Sequence, residues 1–246
     1  MKYQGSKNRI AKDIIKVIEA DQRTEKIITW VEPFVGGCNM IDKVKNFYRI
    51  GSDINPYLIE MFRALQKCWI PPENVDEAAY KLAKENSKLT FKTSVQTMMA
   101  EIGFIGVGCS FAGKWFGGYA RGGTRNYCRE SRENLLKQRE KIISVNFQCE
   151  PYDKLDIPPN SIIYCDPPYQ GTTKYRDSFN HKRFWEWCDS MVNEGHVVYV
   201  SEYQAPEGWF SVWQKEIVSG LDLNTGNKKA VEKLFTKYKK LWKEQS

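Results

Sequence analysis

The chain runs "SIIYC" from Ser161 to Cys165 and continues at once into "DPPY", Asp166 to Tyr169. The first five residues read as a buried strand. Proline fixes its own φ and has no N–H for a sheet ladder, so Pro167 and Pro168 must end that strand and set a rigid, extended exit. Asp166 and Tyr169 are thereby held at the strand's carboxyl end, which in an open α/β sheet is the edge where ligands bind. An acid, a proline carbonyl and an aromatic ring at that edge form a grip for a small polar group.

The rest of the chain supplies a sheet for this strand to sit in. "SKNRIAKDIIKVIEAD" places Ile10, Ile14, Ile15, Val17 and Ile18 at helical spacing, with Ser6 as its N-cap. "KIITWVEPF" reads as a strand broken at Pro33, and "YRIGSDIN" as a second strand ending near Asp53. This βαβ opening argues for a parallel sheet. A helix starts near Pro56, residues 71 to 102 read as polar helix, and a helical "RESRENLLKQREKI" leads back to "SVNFQCE", "SIIYCD", a Trp-rich helix from His181 to Asn193, "HVVYVSEY", "FSVWQKEIV" and "EKLFTKY". The expectation is an α/β core interrupted by about 80 residues: 1–60 and 140–246 form the core, and 61–139 a separate, mainly helical domain.

Charge marks the interruption. The 246 residues carry a formal +7, and residues 61–139 hold 13 Lys and Arg against 7 Asp and Glu. Nearly all the basic excess lies in that segment, which suggests a polyanionic partner for it. Residues 103–123 hold 8 of the 17 glycines, interleaved with Phe104, Phe111, Trp115, Phe116 and Tyr119. Lys114, Arg121, Arg125, Arg129 and Arg132, set against Glu130, make residues 103–132 net +4.

Other classes are disfavoured. No run of about 18 apolar residues exists, and the start lacks the apolar stretch of a signal peptide, so the expectation is a cytoplasmic protein with no membrane partner. Seven cysteines, no C-x-x-C pair and only two histidines, His181 and His196, argue for reduced, mostly buried thiols and against a metal site. Cys165 reads as a packing residue, and the histidines as a helix-start and a strand-start residue.

At the end of the first strand, "VEPFVGGCN" puts an acid and then Gly36 and Gly37, which let backbone approach a ligand closely. Alone they describe a tight turn, and they do not fit G-x-G-x-x-G, which disfavours a nicotinamide enzyme. Asp53, ending the next strand about 20 residues on, is where a nucleoside-binding sheet places an acid for ribose hydroxyls.

In series, "YQGSK" (Tyr3 to Lys7), "EPFVGG" (Glu32 to Gly37), "SDIN" (Ser52 to Asn55) and "DPPY" resemble the Dam-like DNA adenine-N6 methyltransferases, in that family's order over most of residues 1–60 and 140–246. The resemblance implies a Rossmann-like class I methyltransferase sheet, mostly parallel with a reversed final hairpin, and an inserted target-recognition domain at 61–139. It implies S-adenosylmethionine as methyl donor, double-stranded DNA as partner and a monomeric enzyme in a bacterial or phage-infected cell. Asp166, Pro167, Pro168 and Tyr169 would hold a flipped adenine. Tyr3, Lys7, Glu32, Pro33, Phe34, Gly36, Gly37, Asp53 and Asp166 would line the cofactor site. Where the family has an acid and an aromatic for the cofactor's adenine, this chain reads "EPYDKL", so the acid beside Tyr152 is either displaced or supplied by Asp153. Lys114, Arg121, Arg125, Arg129 and Arg132 would contact DNA. Two rivals stay open: a cytosine-N4 methyltransferase, in which Ser more often replaces Asp166, and an inactive DNA-binding relative. Restriction-modification, solitary and phage-protective roles are equally open.

Overall fold

The computed structural model describes residues 1–45, 47–89, 96–170, 179–219 and 228–238. Seven strands form one sheet: β1 (Thr29–Glu32), β2 (Tyr48–Ser52), β3 (Val145–Gln148), β4 (Ser161–Cys165), β5 (Val197–Glu202), β6 (Phe210–Ser219) and β7 (Lys228–Thr236). Their order is β3-β2-β1-β4-β5-β7-β6. β1 pairs with β4, β4 with β5 and β2 with β3 in parallel, while β7 runs antiparallel to both β5 and β6. The reversed strand of the final hairpin is thus inserted inside the sheet edge. The order steps outward from β1 to β3 and restarts on the other side at β4, so the topological switch point falls between β1 and β4.

The chain divides into two compact units. The first comprises 1–12, 35–45 and 49–155; the second comprises 13–34, 46–48 and 156–246.

In the first unit, α2 (Pro56–Gln66), α3 (Glu77–Asn86), α4 (Gln96–Gly108) and α5 (Tyr127–Ile142) accompany β2 and β3. Asn55 caps α2 through its side chain, which accepts from Tyr57 N and Leu58 N, and Pro56 takes the position where no N–H is needed. Asp76 caps α3, accepting from Ala79 N at 2.7 Å. The polar helix expected over 71–102 is therefore two elements: residues 71–76 are not helical, residues 90–95 lie outside the described residues, and the second helix runs on to Gly108. That extension takes in the start of the glycine and aromatic run, because three of its glycines are packing positions. A Cβ on Gly103 would lie 2.2 Å from the Tyr57 carbonyl of α2, one on Gly106 2.5 Å from the Trp115 ring, and one on Gly108 3.1 Å from Ser131 of α5.

In the second unit, α1 (Ala11–Glu19) begins within the last two residues of the first, and α6 (His181–Asn193) begins where its sequence predicts, with Asn180 capping Arg183 N. Ser6 does not cap α1. Its hydroxyl accepts from Asn8 N, closing a turn that precedes the helix. Trp30, Tyr164 and Tyr199 are among the largest fully buried side chains, and Trp30 stacks on Tyr164 with centroids 6.1 Å apart. Cys165 and Cys188 are buried, and His196 accepts from Ser161 N at 3.2 Å, a strand-start position as expected. All seven cysteines are free thiols.

Candidate active site

In the second unit, parallel β1 and β4 end at one edge. Their register pairs Trp30 with Ile162 and Val31 with Ile163, so strand alternation puts Trp30, Glu32, Ile162, Tyr164 and Asp166 on one face. Glu32 is 3% exposed and accepts from Trp30 Nε1 at 2.8 Å. Pro33 is buried, and Phe34 meets Phe179 and Phe184 edge-on at 5.8 and 5.6 Å. Asp166 is partly exposed where Pro167, next to it, is buried; Pro168 and Tyr169 are partly exposed. The rigid exit thus leaves the acid partly exposed at the end of a strand whose five residues are all buried.

Two acids that sequence reasoning missed complete this edge. Glu232 of β7 accepts a hydrogen bond from the Tyr169 hydroxyl. Glu202, at the end of β5, accepts from Gln170 N at 2.8 Å and Tyr203 N at 2.6 Å. Each acid is 2% exposed. The Tyr203 ring meets the Tyr169 ring edge-on at 4.8 Å. Burial, then Asp166 and Glu232, raise the Tyr169 phenol well above its ordinary range. Tyr164, which shares a hydrogen bond with Ser201, is raised by burial and then by Asp166, Glu32 and Glu232. Asp166, Glu32 and Glu232 therefore all bear on the buried Tyr164 phenol. The signal for Glu232 was in the chain: alternation along β7 groups it with Leu234 and Thr236, both fully buried.

The first unit carries the remaining expected cofactor residues. Val35 N donates to Ser52 O at 2.8 Å, and Gly36 N to Asp53 Oδ2 at 3.1 Å, which ties the glycine turn to the end of β2. Asp53 Oδ1 accepts from Asn55 N at 2.9 Å. Burial raises the Asp53 carboxyl, against the pull of those two amides. Each carboxylate oxygen carries one amide and retains a second lone pair, the acceptor set a ribose diol requires. The Tyr3 ring approaches to within 2.8 Å of where a Cβ on Gly36 (φ +44°) would sit. Lys7 is only 6% exposed, with Nζ 3.3 Å from Gly5 O. Asp153 is half-buried on the turn after β3.

The expected DNA-contacting residues also lie in the first unit. Lys114, Arg121, Arg125 and Arg129 are exposed. Arg121 pairs with Glu77, Arg125 with Glu130, and Arg129 with Glu73 at 3.0 Å, while Arg132 donates to Pro71 O. Arg121 and Arg125 border a cavity of about 480 Å³ that also exposes Tyr119, Asn126 and Tyr127. Among the described residues no cluster suited to a metal ion occurs.

A mostly parallel sheet in this order, with an acid before and an aromatic after two prolines at its switch point and a further acid after β2, is that of a class I methyltransferase. The chain matches the D12 class N6 adenine-specific DNA methyltransferase family over residues 3–96 and 116–204, and belongs to it. It is an adenine-specific DNA methyltransferase that uses S-adenosylmethionine. The retron Ec67 DNA adenine methylase of Escherichia coli is 23% identical over 240 residues, covering 85% of this chain and 73% of that protein. The type II methyltransferase M.FokI of Planomicrobium okeanokoites is 22% identical over 207 residues, 76% of this chain and 31% of its own. A DNA adenine methylase of Vibrio cholerae is 26% identical over 190 residues, 69% of this chain and 64% of its own. No helix among the described residues is long and apolar enough to cross a membrane.

Proposed function

We propose that the chain methylates N6 of an adenine flipped out of double-stranded DNA, with Asp166 and the Pro167 carbonyl gripping the amine. The observation that carries this reading is the partly exposed Asp166 between a fully buried strand and a buried proline. An adenine amine has its lone pair delocalised into the ring and is a poor nucleophile. Two acceptors fixed in direction take its two N–H bonds and favour the sp³ nitrogen of the transition state. Tyr169 stacks on the base. Because the amine is out of reach inside a duplex, the base must leave the helix.

S-adenosylmethionine supplies an electrophilic methyl on a sulfonium. Carboxylates at Glu32 and Asp166 suit a donor that carries positive charge. Asp53 accepts from the ribose hydroxyls, and Tyr3, Lys7, Gly36, Gly37 and Asp153 hold the rest together with Glu32, Pro33 and Phe34. The methyl group would pass to the adenine nitrogen, which would give up a proton, and these residues would act by positioning donor and acceptor.

In this reading residues 61–139 select the target, with Lys114, Arg121, Arg125, Arg129 and Arg132 on the DNA, and the enzyme works as a cytoplasmic monomer. Nucleoside mass spectrometry of DNA treated with the enzyme tests the reaction: N6-methyladenine is expected, and N4-methylcytosine in its place would overturn the choice of base. Calorimetric titration with S-adenosylmethionine separates an active enzyme from a relative that has lost its cofactor.

A further inference from the structure

We propose that Glu232 and Glu202 are positioning residues for methyl transfer, holding the Tyr169 segment from the two faces of the sheet. This rests on the reading of Tyr169 as the ring that stacks on the acceptor adenine. Glu202 pairs in register with Lys233, so strand alternation directs Glu202 and Glu232 to opposite faces. The chain leaving Pro168 is pinned on both sides, by the Tyr169 hydroxyl on Glu232 and by the Gln170 amide on Glu202. The second oxygen of Glu202 takes Tyr203 N, and the Tyr203 ring braces the Tyr169 ring edge-on.

A carboxylate that is 2% exposed is costly unless hydrogen-bonded, and an apolar side chain would serve a sheet core at lower cost. Two such carboxylates on the adjacent residues Tyr169 and Gln170 serve to fix direction. The Tyr169 phenol, kept protonated by burial, then Asp166 and Glu232, always has a proton to donate. The ring is thereby fixed in rotation and depth before the base arrives, as near-attack geometry at N6 requires.

The test uses adenine-methylation-free plasmid DNA and tritiated S-adenosylmethionine with four variants. Tyr169→Phe removes the hydroxyl and keeps the ring; Glu232→Leu removes the acceptor at similar volume; Glu232→Gln keeps an acceptor oxygen; the fourth combines Tyr169→Phe with Glu232→Leu. The first two should each lower kcat about tenfold with cofactor affinity unchanged, Gln should restore most of the loss, and the double variant should be no slower than either single one. A double variant slowed by the product of the two factors, or a Tyr169→Phe enzyme at wild-type kcat, would overturn the proposal. The second result stands even where Glu232→Leu does not fold. Tyr169→Ala separates the two layers: an active Ala variant sinks the stacking reading itself, whereas an inactive one beside a fully active Phe variant removes only the anchoring.

Discussion

Single atoms decide the glycine turn proposed to bind the cofactor. A Cβ on Gly37 would lie 2.6 Å from the Tyr3 Cβ and 2.7 Å from Asn39 Nδ2, and that amide in turn donates to the Met1 carbonyl at 3.1 Å. Gly37→Ala must therefore displace the segment that carries Tyr3 and Lys7. The expected result is a loss of about 1–3 kcal/mol in stability, the usual cost of overpacking, together with at least a tenfold weaker S-adenosylmethionine affinity; urea denaturation and calorimetry measure the two. The close approach at the glycines was legible because it demands one residue type, and so was the end of β2 just before Asp53, where an acid follows the strand. The burial of Lys7 was not: composition alone makes a lysine near a helix start an exposed residue, and only the folded turn buries it. Glu202 and Glu232 escaped because a glutamate in a strand usually signals the solvent face, and the alternation that contradicts this becomes decisive only once β7 is known to lie inside the sheet.

At the scale of elements, α4 shows how composition misleads. A run rich in glycine suggests a loop, yet Gly103 sits mid-helix because the backbone of α2 comes too close for any side chain. Replacing it with alanine gains about 1 kcal/mol in helix propensity, but a Cβ placed 2.2 Å from the Tyr57 carbonyl outweighs that gain. Gly103→Ala should be destabilising by about 1–3 kcal/mol net, seen as a lower denaturant midpoint at unchanged m-value. In the second unit, Asp21 ties the end of α1 to β7. Its carboxylate receives the Arg23 guanidinium and the Tyr199 hydroxyl, and Arg23 also donates to Thr236 Oγ1 and Lys237 O. Burial pushes the Asp21 carboxyl up, and the hydrogen bonds from Arg23 and Tyr199 more than reverse this, holding it at about 2 against 3.8 for the free group. A carboxyl depressed in the folded state contributes stability above its unfolded value, which is lost as pH falls through the folded one. Asp21→Asn should therefore cost about 1 kcal/mol near neutrality, after allowance for solvent screening. The gap in Tm between wild type and variant should close between about pH 4 and pH 2, and a gap independent of pH would refute the ionic account.

For the whole molecule, all seven strands could be placed from runs of apolar and β-branched residues bounded by proline, glycine or acid, but the insertion of β7 between β5 and β6 could not. Strand order is a non-local property, and it came from the sequence only through the family resemblance. The division of labour is open to a direct test, because Asp166 lies in the second compact unit, and Arg121, Arg125 and Arg129 in the first. Asp166→Ala should abolish methyl transfer, since it removes an acceptor for the amine, and should leave DNA affinity unchanged because that affinity rests on phosphate contacts elsewhere. The three arginines are paired with Glu77, Glu130 and Glu73. Exposed pairs of this kind contribute little and exchange readily for phosphate, so the pairing does not prevent DNA contact. An alanine triple variant should weaken binding to all sequences and reduce the slope of log affinity against log salt by up to about 3, roughly one unit for each phosphate no longer neutralised. Any of the three that reads a base edge should show itself singly, by a loss of about ten- to a hundred-fold on the cognate site and relaxed site choice. Unchanged affinity, salt slope and methylated sites in the triple variant would demote the segment around these arginines to a structural element.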